Sequence, residues 1–138
     1  MFGPPGRLYV YVSYGMHFCM NVVTGRDGEG SAVLLRAAEP LEGLDRMADL
    51  RRLQDPRLLC AGPGRLCQAL AITRAHDGID LVSGDALVIE RGRPVRDEDV
   101  VVGPRVGITV AAEQPWRFHV RGSRFVSRGP RFGVAVTR

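Results

Sequence analysis

The chain has 138 residues, 45% of them hydrophobic, with a formal net charge of +4 and a pI near 9.5. That is enough for one domain with a modest core, burying about two-thirds of the surface its unfolded chain exposes. No apolar run approaches the roughly 18 residues a membrane-spanning helix needs. All 19 basic side chains are arginine; the positive balance favours a polyanionic partner such as nucleic acid, and GC-rich coding would give the same composition.

Residues 1–7 (Met-Phe-Gly-Pro-Pro-Gly-Arg) read as a turn-rich lead-in. Two aromatic and β-branched runs follow within residues 8–23 and meet at Gly15-Met16, which predicts a hairpin with a two-residue type II′ turn. Strand alternation places Tyr9, Tyr11 and Ser13 on one side, and Val10, Val12 and Tyr14 on the other. Tyr14 then stands beside the tip of a projecting ribbon, poorly placed to build a core and well placed to enter a partner. Cross-strand packing is the plainer role for three tyrosines in a strand.

After a polar loop at 24–31, residues 32–37 (Ala-Val-Leu-Leu-Arg-Ala) predict a buried strand that carries Arg36 near its end. Leu41, Leu44, Met47, Ala48 and Leu50 recur at helical spacing, and a second helix is expected from Pro63 to Ile72. Short strands are expected at 86–90, 105–110 and 116–120, with a possible last strand at 123–127 and an Arg- and Gly-bearing tail from Gly129 to Arg138. Strands outnumber helices, so the expected fold is a single compact α+β domain: a curved, mostly antiparallel sheet, short helices and a projecting hairpin.

Some residues stand out chemically before any comparison. Asn21 is polar in an apolar strand and either pairs with neighbouring backbone or serves a site. Arg36 is costly to bury unpaired, so it either snorkels to solvent or equips a site. Arg65 is a cation in a helix's first turn, where the macrodipole opposes it. Cys19, Cys60 and Cys67 lack CxxC or zinc spacing and read as reduced, packed thiols of an intracellular protein. His17, His76 and His119 are too scattered for a metal site and read as structural or surface residues, and Glu39 and Glu42 beside Pro40 read as caps of the following helix.

The string MFGPPG-x-x-YVY-x-x-YGMHFCMNVV, then AVLLRAAEPLEG, LCAGPGRLCQALAIT, GPRVGI and PWRFHVRGSRFVS, resembles the alkyladenine (3-methyladenine) DNA glycosylase family at five places in order, from residue 1 to about 128. The resemblance implies base-excision repair: hydrolysis of the N-glycosidic bond of alkylated purines in duplex DNA, by base flipping and water attack. Tyr14 would intercalate, flanked by Met16 and His17. Tyr11 would wall the base pocket, and Asn21 would disfavour the exocyclic amine of normal guanine. Arg36 and the backbone carbonyl of Ile108 would position the water, with Gly107 allowing close backbone approach. Arg51, Arg65 and Arg74 would contact phosphates. No cofactor or metal is implied, and no lysine is present to form a Schiff base.

The same resemblance implies an omission. The family's catalytic carboxylate is a glutamate in an ETEAY-like strand, and no such string occurs in this chain. A second aromatic pocket wall and a histidine from that upstream segment are absent too. Residues 1–138 therefore look like the C-terminal part, about two-thirds, of one glycosylase domain. Met1 is then either an internal methionine of a longer active protein, the favoured explanation, or the start of a truncated duplex- or abasic-DNA-binding domain. The expected setting is a monomer in the bacterial cytoplasm, on the nucleoid during repair. Its expected partner is duplex DNA with alkylated bases, not a membrane.

Overall fold

The structure, a computed structural model, describes residues 1–126, so the expected tail from Gly129 to Arg138 lies outside the described residues. Strands β1 (Leu8–Ser13) and β2 (His17–Val23) form the expected antiparallel hairpin, with Leu8 opposite Val22 and Ser13 opposite His17. β3 (Ala32–Leu34) pairs antiparallel with the other edge of β2, setting Val23 opposite Ala32 and Asn21 opposite Leu34. The β3 pairing continues one residue past the strand, since Leu35 N–H donates to the Met20 carbonyl at 3.0 Å.

Three helices follow: α1 (Leu44–Arg51), α2 (Pro56–Leu59) and α3 (Pro63–Ala69). Leu8, Val10 and Met20 point from one sheet face into a core completed by Ala48, Leu59, Leu66, Cys67, Ala69, Ile72 and Leu81. Alternation along β1 leads into this core, as do Ala48 and Met47 of the expected helical spacing, whereas Leu41 precedes α1 and is exposed with Leu50. A second antiparallel pair, β4 (Val100–Gly103) with β5 (Arg117–Val120), sets Val101 opposite His119. The molecule is thus a compact mixed α+β domain whose paired strands are antiparallel.

Several expectations are corrected. The hairpin turns on Tyr14-Gly15, not Gly15-Met16: both have positive φ (51° and 70°), and Met16 N–H donates back to the Ser13 carbonyl at 3.3 Å. Two successive left-handed residues suit the right-handed twist of a hairpin. Residues 86–90 and 105–110 form no strand: neither run builds a ladder with another strand, the first making a single bond from Ile89 N–H to the Leu81 carbonyl (2.8 Å), and the described residues of 123–127 are irregular. β3 stops at Leu34, and α3 stops at Ala69 before Ala71 turns left-handed (φ 54°). β4 and the single-turn α2, capped by the Asp55 side chain on Arg57 N–H, are additions. Glu39 and Glu42 do not cap α1, whose N-cap is Gly43 without a side-chain hydrogen bond.

The free edge of β1 is closed by the segment 74–80. Leu8 N–H donates to the Ile79 carbonyl (2.8 Å), and Gly78 N–H to the Leu8 carbonyl (2.8 Å). Val10 N–H donates to Asp77 Oδ1 (2.8 Å), and the Val10 carbonyl accepts from the Arg74 guanidinium. Side chains thereby complete the pairing that a further strand would otherwise supply. Asp80 holds the next turn: its carboxylate accepts from the N–H groups of Val82 (2.9 Å) and Ser83 (3.1 Å) and from the Ser83 hydroxyl (2.9 Å), with Arg7 at 3.5 Å. These hydrogen bonds, chiefly from the two backbone N–H groups and the hydroxyl, lower its pKa to about 2.

That shift has a definite sign. Above the unfolded-state value of about 4 both states are ionised and the stabilisation is complete; it is lost as pH falls through the folded value. Thermal midpoints recorded from neutral to acid pH should therefore fall below about pH 4. Asp80→Ala should lower the midpoint at neutral pH and flatten this acid limb, and an unchanged limb would exclude Asp80 as its source.

Candidate nucleic-acid interface

Directly opposed residues in an antiparallel pair share a face, so the register assembles the site across three strands. Tyr9 pairs with Asn21, which pairs with Leu34; Tyr11 pairs with Cys19. Continuing that register past β3 sets Arg36 across from Cys19. One sheet face therefore bears two adjacent rows, Tyr9–Asn21–Leu34 and Tyr11–Cys19–Arg36, opposite the face that supplies Leu8, Val10 and Met20 to the core. The rings of Tyr9 and Tyr11 lie side by side, centroids 5.8 Å apart and tilted by 33°.

The electrostatics agree with this placement. Burial, then the Cys19 thiol, holds the Tyr11 phenol above its ordinary pKa. Arg36 is half-buried; burial and then Arg117 lower its pKa, while Cys19 acts in the opposite sense. Cys19 thus lies within electrostatic reach of both Tyr11 and Arg36. Asn21 is only 7% exposed and donates from Nδ2 to the Tyr9 carbonyl at 3.1 Å. That contact is the backbone pairing anticipated for an isolated polar strand residue, on the face that also carries Tyr11.

Arg36 opens onto a cleft of about 630 Å³ whose other side is β5 and the residues after it. Arg117 and His119 alternate with Phe118 and line this cleft, as do Leu34, Glu39 and Phe125. Two buried nitrogens there, Arg36 Nε and His119 Nδ1, have no hydrogen-bond partner among the described residues. Burial, then Arg117 and Arg121, lowers the His119 pKa, which favours the neutral ring. Sequence reasoning passed over Arg117 as a site residue and gave His119 a structural or surface role; the alternation in Arg117-Phe-His-Val120 was the available signal that the two share a face.

The hairpin tip is exposed. Tyr14 is 86% and Met16 73% exposed, and His17 is also at the surface. A bulky residue with positive φ is an outlier, whereas Gly15 occupies the same region without a Cβ penalty. Ile108 is 37% exposed, in the irregular stretch between β4 and β5, and is not among the described residues that line the Arg36 cleft. Gly107 beside it takes φ 76°. Arg105 braces this stretch: it donates to the carbonyls of Val110 (3.0 Å) and Ala111 (3.1 Å) and lies over the Trp116 ring at 5.0 Å.

The three arginines expected at phosphates differ in their commitments. Arg51 donates to the Leu59 carbonyl at 3.1 Å and to Gln68 Oε1, tying α1 to α2 and α3. Arg74 is engaged by the Val10 carbonyl and lies 3.6 Å from Asp77. Arg65 is exposed in the first turn of α3, and no carboxylate among the described residues lies within ion-pair distance of it. The three thiols are free and buried; burial raises the Cys67 pKa to about 11, with Cys19 adding to the shift, so Cys67 stays protonated near neutrality. No helix among the described residues is long and apolar enough to cross a membrane.

Left-handed geometry at a non-glycine residue costs roughly 1–2 kcal/mol. Tyr14→Gly removes that strain together with the ring and should raise stability in chemical denaturation by about 1 kcal/mol. A lower stability would mean that the ring has a packing role in the free protein.

A family model described as "Methylpurine-DNA glycosylase" matches residues 1–124. Similar curated proteins carry the name "Putative 3-methyladenine DNA glycosylase". One from Rhodopseudomonas palustris (strain HaA2) is 54% identical over 127 residues, covering 92% of this chain and 62% of the relative. Another from Nitrobacter winogradskyi is 52% identical over 128 residues, covering 93% of this chain and 60% of the relative. A third from Carboxydothermus hydrogenoformans is 48% identical over 128 residues, covering 93% and 67%. The chain spans about three-fifths of the length of the first two.

Proposed function

The chain belongs to the methylpurine-DNA glycosylase family, and on that premise we propose that it is the DNA-engaging part of an enzyme that excises alkylated purines such as 3-methyladenine from duplex DNA. The observation that carries this reading is the pairing of an exposed ring at a projecting tip with an aromatic and cationic sheet face behind it. Tyr14, flanked by Met16 and His17, enters the minor groove and occupies the space a rotated base leaves; large wedges of this kind unstack one step at a cost of a few kcal/mol.

The extruded base then stacks on Tyr11. A purine alkylated at a ring nitrogen is cationic, and an electron-rich ring face favours a cation. Asn21, whose Nδ2 donates to the Tyr9 carbonyl, disfavours guanine through an unfavourable contact with its exocyclic amine. Arg36 lies beside this pocket and, with the Ile108 carbonyl, holds the attacking water. Arg51, Arg65 and Arg74 lie beneath the phosphate backbone; of these, Arg65 has the fewest internal commitments.

Water attack also requires a carboxylate to take the proton. Among the described residues, Glu39 is the one carboxylate lining the cleft at Arg36, and it is exposed. The 138-residue chain therefore binds lesion or abasic duplex without hydrolysing it, and excision belongs to a form that supplies a buried acid. No cofactor takes part in this scheme, and the protein acts as a monomer on the cytoplasmic chromosome.

The test pairs binding with release. The chain should bind a duplex containing an abasic analogue more tightly than undamaged duplex, and Tyr14→Ser should abolish that preference. Methylated duplex should lose 3-methyladenine only at the uncatalysed rate. Equal affinity for damaged and undamaged duplex would contradict the wedge; efficient release would contradict the requirement for another carboxylate.

A further inference from the structure

A second cleft, of about 670 Å³, lies between α2–α3 and the segment after β5. Its lining sets Arg57, Arg65 and Arg124 against a single carboxylate, Asp55. That carboxylate is already committed. Its oxygens accept from Arg57 Nε (3.0 Å) and Nη2 (2.8 Å), and Oδ1 also accepts the Arg57 backbone N–H at 3.0 Å. Arg124 is close enough to lower the Asp55 pKa slightly, as the last of several causes after Arg57. Among the described residues, neither Arg65 nor Arg124 forms an ion pair with a carboxylate.

Positive charge accumulates around this point. Arg65 helps to lower the pKa of Arg51, after the larger effect of burial. Arg124 also lines the Arg36 cleft, so the two clefts meet at its side chain and at Val126. Guanidiniums gathered beyond the available carboxylates repel one another, and a bound anion relieves that repulsion.

We propose that Arg65 and Arg124 grip one phosphodiester of a DNA strand in this cleft, with Arg57 held beside them by Asp55. Arg124 is thereby assigned as a backbone contact, joining the phosphate track at Arg65 to the cleft that receives the base. The proposal rests on the duplex-binding function above and adds a specific contact to it. A phosphate grip is indifferent to sequence and to damage, so it positions the duplex without selecting the lesion.

The experiment is the salt dependence of equilibrium binding of the 138-residue chain to a fluorescent duplex, with and without an abasic analogue. Each phosphate neutralised contributes about 0.9 to the slope of log affinity against log salt. Arg124→Ala should flatten the slope by about 0.9 and weaken both duplexes by the same factor, whereas Arg124→Lys should restore the slope. A steep wild-type slope left unchanged by Arg124→Ala overturns the grip and leaves duplex binding standing. A loss confined to the damaged duplex, with no change in slope, also overturns it. Wild-type binding that is absent or independent of salt overturns both proposals.

Discussion

The register of β2 with its two neighbours is the constraint on which everything else in the molecule depends. Asn21 opposite both Tyr9 and Leu34, with Cys19 opposite Tyr11, fixes which side chains share each face. A slip of β2 by one residue would turn its alternation over, sending Cys19 and Asn21 into the core and Met20 out of it. The apolar face therefore enforces the polar one. Burying a Leu or Met side chain contributes about 1.5–3 kcal/mol, so the core readily outweighs the cost of drawing Arg36 partly out of water. The Arg74 and Asp77 contacts on Val10 protect the same register from the open edge of β1.

On that frame the molecule separates a rigid platform from a strained probe. Tyr11, Cys19, Asn21 and Arg36 are half-buried or buried and are set by backbone pairing. Tyr14 is outside the ladder, exposed and left-handed. Strain at a residue with no core to fill fits a role realised on contact with a partner. The basic side chains divide in the same way. Arg51, Arg74 and Arg105 brace the protein itself, whereas Arg65 and Arg124 form no ion pair with a carboxylate among the described residues.

Much of this was legible in the sequence where local pattern and long-range partner agree. Alternation in residues 8–13 separated Tyr9 and Tyr11 from Val10 before any partner was known, and the isolated polarity of Asn21 and Arg36 singled out two side chains that the register places on the tyrosine face. Residues 86–90 and 105–110 carry comparable β-branched content and form no strand, because a strand is made by its partner and neither run has a partner strand among the described residues. The position of the turn was misread because glycine marks where positive φ is inexpensive, not where the turn must begin; the register forced Tyr14 into it as well. Arg117 and His119 were overlooked because their meeting with Arg36 spans some eighty residues and leaves no local trace.

The most direct test of this account is NMR of the chain, observing the Arg36 Nε–H and the Tyr11 ring protons in the free protein and during titration with a duplex carrying a non-hydrolysable 3-methyladenine analogue. In the free protein the account predicts cross-peaks from both groups to Cys19 Hβ. On addition of the lesion duplex, both groups should shift together, with ring-current displacements absent for an undamaged duplex of the same sequence. Cross-peaks from Arg36 to Met20 or Val10 instead, or identical shifts with damaged and undamaged DNA, would contradict it.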